Sequence, residues 1–195
     1  MLRMAEIETV DLGQWAKGKH RTTEDAPCGG GPGLVMKIAP IHRALEELRG
    51  EGTKVALMTP QGRKFSQPMA EAYAREKDVI VICGHYEGVD QRVADHLVNE
   101  EISIGDHVLT NGALAALIFT DAAVRLISGV LGDEQSAVQE SFSSGLIDHP
   151  HHTRLENFNR WIVPPVLLSG NHAAMAGWRK EQALELTKRR RQDLL

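Results

Sequence analysis

From about residue 54 to residue 130, short apolar runs rich in β-branched residues alternate with helical stretches. That alternation predicts a parallel sheet with crossover helices. Residues 54–59 (KVALMT) read as a buried strand, followed by a Gly/Pro turn and a helix over about 66–77. Residues 78–83 (DVIVIC) form the next predicted strand and 89–99 the next helix. A third extended stretch covers 102–109, and 112–127 reads as a long apolar helix. Beyond Gly129 the pattern changes. Residues 134–142 suit a short helix, and 143–160 are polar and punctuated by His and Pro, like a linker. Residues 163–168 are short and apolar, and 171–191 have the composition of a closing helix. The predicted class is α/β, a mostly parallel sheet with flanking helices and a small C-terminal helical region.

A chain of 195 residues, 42% hydrophobic and 25% charged, is long enough to bury a core and too apolar for a disordered segment. Its two cysteines, Cys28 and Cys83, form no CxxC, which argues against a disulfide framework or a cysteine-based zinc site and makes a reducing cytoplasm the default. The opening MLRMAEIETVDL turns acidic too soon for a signal peptide, and the longest apolar stretch, 112–131, carries Asp121 and Arg125. No membrane anchor is expected. The net charge of -4 conceals an asymmetry: residues 87–156 hold twelve Asp/Glu against three Lys/Arg, whereas 171–195 hold six Lys/Arg against three acids. The basic run Lys188-Arg189-Arg190-Arg191 could meet a polyanion, or simply end a helix whose dipole favours cations there.

Each predicted strand is followed by an irregular segment: TPQG at 59–62, GHYEG at 84–88 and IGDHVLTNG at 104–112. Loops at the carboxyl ends of parallel strands converge and expose backbone groups, so three in a row predict one pocket. Neither GxGxxG after a strand nor GxxxxGK[ST] is present, which argues against a Rossmann or P-loop nucleotide site. The run Gly29-Gly30-Gly31-Pro32-Gly33 could cradle a phosphate, but it lacks the following Lys-Ser/Thr.

Seven motifs taken in order carry more. They are DAPCGGGPG (25–33), TPQGRK (59–64), CGHYEGVD (83–90), SIGD (103–106), GVLG (129–132), HHTR (151–154) and PPVLLSGNH (164–172). Together they resemble the bacterial tRNA (guanine-N1)-methyltransferases of the TrmD type, from about Glu6 to Leu195. The resemblance implies a SPOUT-class fold whose strand-end loops form a deep trefoil knot around S-adenosylmethionine. It also implies tRNA as substrate and a homodimer with its active sites at the subunit interface. On this pattern residues 1–140 form the methyltransferase domain, 141–160 a flexible linker and 161–195 a C-terminal helical tRNA-binding region. The family's cofactor contacts fall on Leu57, Thr59, Pro60, Gly84, Tyr86, Ile104, Gly105, Asp106, His107, Val108, Leu109, Asn111 and Gly112. Much of that recognition is by backbone. Asp106 reads equally as a turn residue bonding its own backbone.

Methyl transfer to guanine N1 needs a lone pair where the neutral base carries a proton, while negative charge grows towards O6. One carboxylate and one cation suffice. The resemblance places the general base on Asp148 and the charge-stabilising cation on Arg125, with Glu87 holding the target base. Their plain alternatives are a solvated linker carboxylate for Asp148 and, for Arg125, an i,i+4 surface ion pair with Asp121. The adjacent histidines His149, His151 and His152 lack the i,i+4 spacing of a firm metal site, so no transition metal is expected. Magnesium leaves no motif, and the sequence leaves it open. Trp161 and Trp178 could stack on RNA bases or pack in a core.

The family's opening strand and its Phe-Pro segment are absent, which predicts a sheet short of one element. Asn111, Ala113, Cys28, Ser128 and Leu155 replace glycine, glutamate, tyrosine, proline and proline. Asn tolerates positive φ, so Asn111 is expected to preserve the loop, with cofactor affinity the quantity most affected. The implied reaction is N1 methylation of the guanosine 3′ of the anticodon, position 37. Two alternatives stand beside it: a catalytically silent RNA-binding or dimerisation protein of the same fold, and a SPOUT enzyme methylating another RNA position.

Overall fold

The computed structural model describes residues 4–132 and 140–195. They divide into two compact units, Met1–Leu131 and Gly132–Leu195. In the first, a 3-10 turn (Leu12–Trp15) and a short antiparallel pair, β1 (Glu24–Asp25) and β2 (Val35–Met36), precede helix α1 (Ile38–Leu48). There follow β3 (Lys54–Lys64), α2 (Gln67–Tyr73), β4 (Val79–Cys83), α3 (Gln91–His96), β5 (Glu100–Ser103) and α4 (Ala113–Val124).

The sheet is parallel in the order β4-β3-β5, as the alternation of strands and helices predicts. Central β3 is buried from Val55 to Met58, so it reads as an unbroken apolar run rather than as alternation. Its side chains divide between two layers. Val55 joins Met36, Ile41, Leu45 and Val93 on the side covered by α1 and α3. Ala56 and Met58 join Met69, Ile102, Ala115 and Phe119 on the side covered by α2 and α4.

Element ends shift where local chemistry intervenes. Helix α3 begins only at Gln91, because the Asp90 carboxylate accepts from the backbone N–H of Arg92 and caps it. Helix α2 stops at Tyr73, short of the predicted 77, and β5 ends at Ser103, leaving 104–112 irregular. Helix α1 lies outside the predicted elements, although Ile38, Ile41 and Leu45 recur at helical spacing.

The second unit holds β6 (Asn157–Phe158), β7 (Trp161–Ile162), the single turn α5 (Pro165–Leu168) and α6 (His172–Arg190). Residues 157–162, expected mostly as linker, form a hairpin whose two turn residues, Asn159 and Arg160, both have positive φ. Helix α6 starts on the Asn171 side chain, which accepts from Ala174 N–H at 3.1 Å. Most of the short helix predicted over 134–142 lies outside the described residues. Among those described, no helix is long and apolar enough to cross a membrane.

Candidate functional site

The three strand-end segments converge in the first unit, each by a different backbone device. In β3, Met58 and Arg63 both pair with Ile102 of β5, so Thr59–Gly62 bulge out of the ladder. The strand re-enters at Gly62, where a Cβ would lie 2.4 Å from Glu101 C and from Ile102 N. Only a residue without a side chain lets the backbones approach so closely.

After β4 the chain turns through Gly84–Gly88, with Tyr86 at φ +59° and its ring 4.1 Å edge-on from that of His85. Residues 104–112 then come back past this turn. Asn111 and His85 pair in an antiparallel bridge, and Gly112 N–H donates to Gly84 O at 2.7 Å. A Cβ on Gly112 would stand 2.7 Å from Gly84 N and 2.9 Å from Cys83 Cα. Asn111 is not among the positive-φ residues. Its side chain instead accepts from Ala113 N–H at 2.9 Å at the start of α4, so Asn111 serves helix initiation and needs no positive φ.

Between these segments lies a cleft of about 450 Å³, within the usual range for small-molecule sites. Leu57, Thr59 and Pro60 from β3, Gly84 and Tyr86 after β4, and Ile104, Gly105, His107, Val108, Leu109, Asn111 and Gly112 all line it. Asp106 does not. Its carboxylate is 95% exposed and lies 3.6 Å from Lys64 Nζ. The cleft also takes in Gln61, His85 and Thr110, which sit inside the three strand-end segments without being singled out, and Gln91, Glu101 and Ser103, which sit beside those segments. Glu101 and Glu87 give it an acidic character suited to a cationic ligand.

Glu87 is positioned from the glycine-rich run. Its N–H donates to Leu34 O at 3.0 Å, and a Cβ on Gly33 would fall 2.5 Å from the Glu87 side chain. Gly29, Gly30, Gly31 and Gly33 all have positive φ, so this run shapes the backbone beside Glu87. Half-buried Arg125 follows the last turn of α4, its N–H donating to Asp121 O at 3.1 Å, and does not line the cleft.

In the second unit Asp148 is far from a solvated linker carboxylate. One oxygen meets His149 Nδ1 at 2.5 Å and the other His151 Nε2 at 2.9 Å, and His149 N–H donates to the first at 2.7 Å. Its backbone N–H donates to Ser141 Oγ, and the neighbouring Ile147 N–H donates to Thr187 Oγ1 inside α6. Partial burial opposes ionisation of Asp148. The hydrogen bonds from His151 and His149 outweigh it and hold the carboxyl below its usual range. Although the spacing of the histidines points away from a metal site, ligand atoms of Asp148, His149 and His151 lie within 4.8 Å of one another. Trp178 of α6 stands edge-on to the His149 ring at 6.4 Å.

Residues 2–195 match a protein family described as tRNA (Guanine-1)-methyltransferase TrmD. Curated relatives bearing the name tRNA (guanine-N(1)-)-methyltransferase include that of Brevibacillus brevis, 49% identical over 193 residues, covering 98% of this chain and 79% of the relative. That of Moorella thermoacetica is 52% identical over 194 residues, covering 97% and 78%. The Listeria welshimeri protein is 46% identical over 194 residues, covering 97% and 79%.

Proposed function

The chain belongs to the tRNA (guanine-1)-methyltransferase TrmD family, and on that premise we propose that it methylates N1 of the guanosine 3′ of the anticodon, position 37, with S-adenosylmethionine as donor. The observation carrying this reading is the single cleft made by three strand-end segments, whose tight backbone crossing at Gly84 and Gly112 also suits the SPOUT knot. S-adenosylmethionine supplies an electrophilic methyl group when bound. Leu57, Ile104 and Leu109 offer it apolar walls, the 104–112 backbone offers hydrogen-bonding groups, and Glu101 and Glu87 complement a sulfonium charge.

Asp148 takes the proton from guanine N1. Held below the ordinary carboxylate range, it is fully ionised at neutral pH and so able to accept. His149 and His151 fix both its oxygens, which spares the base the entropy of finding its orientation. Arg125 stabilises the charge developing on O6, and Glu87 accepts from the N–H groups of the target guanine. The basic last turn of α6, with Lys188, Arg189 and Arg190, belongs to the tRNA-binding region we place at 161–195, within the second compact unit.

A homodimer is part of the same reading. Helix α4 is apolar nearly all round, and Leu114, Leu117 and Ile118 are more than half exposed. Such a face calls for a covering partner, and a second copy supplies one.

The test is nucleoside mass spectrometry of unmodified tRNA incubated with the protein and S-adenosylmethionine, with and without Mg²⁺. The expected product is 1-methylguanosine mapping next to the anticodon. A 2′-O-methyl or N7-methyl product would overturn the assignment. No product, together with no calorimetric heat from S-adenosylmethionine, would indicate a silent RNA-binding protein.

A further inference from the structure

The hydrogen bonds that hold Asp148 leave a three-sided arrangement of hetero atoms: a carboxylate and two imidazole nitrogens, His149 Nδ1 and His151 Nε2, all within 4.8 Å. A transition-metal ion with bond lengths of about 2.0–2.2 Å to such atoms holds its ligands roughly 3–3.5 Å apart, so small side-chain rotations close the set. The backbone beneath is already fixed. Asp148 N–H is tied to Ser141 Oγ at 2.9 Å, Ile147 N–H to Thr187 Oγ1 at 3.0 Å, and Thr187 Oγ1 to Ala183 O at 2.7 Å. The His149 ring is largely buried, with 17% of its side chain exposed, and Trp178 stands against it. His151 is 71% exposed and opens the third side to solvent, giving an ion an entry path and room for water in its remaining positions.

We propose that Asp148, His149 and His151 form a binding site for a divalent transition-metal ion of the Zn²⁺ or Co²⁺ class. Two imidazoles select such borderline ions, whereas hard, oxygen-seeking Mg²⁺ gains little from them. On metal uptake His149 Nδ1 and His151 Nε2 exchange their hydrogen bonds to the carboxylate for bonds to the ion. Each neutral imidazole then carries its one proton on the other ring nitrogen, and the ion occupies the lone pair on Asp148. The ion is therefore an inhibitor rather than a cofactor. That consequence, and only that one, rests on Asp148 being the general base.

The test titrates Co²⁺ into the full-length protein, read by visible d–d absorption, with Zn²⁺ as competitor. The expected result is saturable absorption at one ion per chain, displaced by Zn²⁺ and untouched by excess Mg²⁺. Binding weakens at least tenfold in His149→Ala and in His151→Ala, each checked for folding by circular dichroism. Absence of absorption in the wild-type protein overturns the site, as does undiminished absorption in the two histidine variants. Methyl transfer measured in the same samples separates the two readings. Stoichiometric Co²⁺ binding that leaves methyl transfer intact upholds the metal site and removes Asp148 from its role as base. Binding that stops methyl transfer, with chelator restoring it, upholds both.

Discussion

Replacing Gly112 by alanine isolates the close approach on which the cleft depends. Gly112 has φ -75° and ψ -6°, a conformation open to any residue, so alanine suffers no backbone strain there. The cost is steric. The added Cβ would stand 2.7 Å from Gly84 N and 2.9 Å from Cys83 Cα. Ordinary contacts lie near 3.5 Å, so the two segments must part by roughly 0.6–0.8 Å. Both contacting atoms are backbone, and neither can turn aside as a side chain can. Overpacking of this kind costs about 1–3 kcal/mol. The 2.7 Å hydrogen bond from Gly112 to Gly84 stretches in the same movement, adding about 1 kcal/mol. For a unit of this size the total lowers Tm by roughly 5–15 °C. Because the displaced segments line the cleft, the affinity for S-adenosylmethionine should fall at least tenfold. Thermal denaturation followed by circular dichroism gives the first quantity and titration calorimetry the second. A Gly112→Ala protein that melts within a degree of wild type and binds the donor equally well would refute the reasoning.

Asp148→Asn should lower turnover by about 10²–10⁴-fold while leaving donor binding nearly intact, since the base role proposed for it is exerted on guanine; joint loss in calorimetry and nucleoside analysis contradicts that role. Leu117→Glu should shift the protein to monomer in analytical ultracentrifugation, because it places a charge on the exposed apolar face of α4; an unchanged mass removes that face from the interface. Asp90 is held below the usual carboxylate range chiefly by its hydrogen bond from the Arg92 side chain. Its stabilising effect is therefore complete above the unfolded value of about 3.9 and disappears as pH falls through the lower folded value. Asp90→Asn should flatten that acid limb, and an identical limb in chemical denaturation would exclude the linkage. Gly177→Ala, in the exposed interior of α6 with open space around the new Cβ, should raise stability by about 0.5–1 kcal/mol; a lower Tm would show the helix to be constrained there.

The strands and the three strand-end segments are legible along the chain because their signals are local. Val55 to Met58 is an apolar run too continuous for a half-exposed strand, and the turns after it carry Gly and Pro. The convergence of those segments follows from the chemistry of parallel sheets, and the seven ordered motifs carry the family. Less visible is the hairpin at 157–162, whose turn uses Asn159 and Arg160 at positive φ rather than the Asn-Gly that marks such turns.

What belongs to the folded molecule alone is the set of relations between distant segments. Gly62 and Gly112 look like ordinary turn glycines until the strand or turn opposite each of them is in place. Asp106 stands in the SIGD motif among residues that line the cleft, yet its carboxylate faces Lys64 and solvent. Asp148 looks like a solvated linker residue until His149 and His151 close on its oxygens and Thr187, forty positions along, anchors the backbone beside it. Composition and periodicity record which residues prefer burial or a bend. They carry no information on how near two backbones come, because that distance is set by packing and by hydrogen bonds between chain segments that the sequence keeps apart.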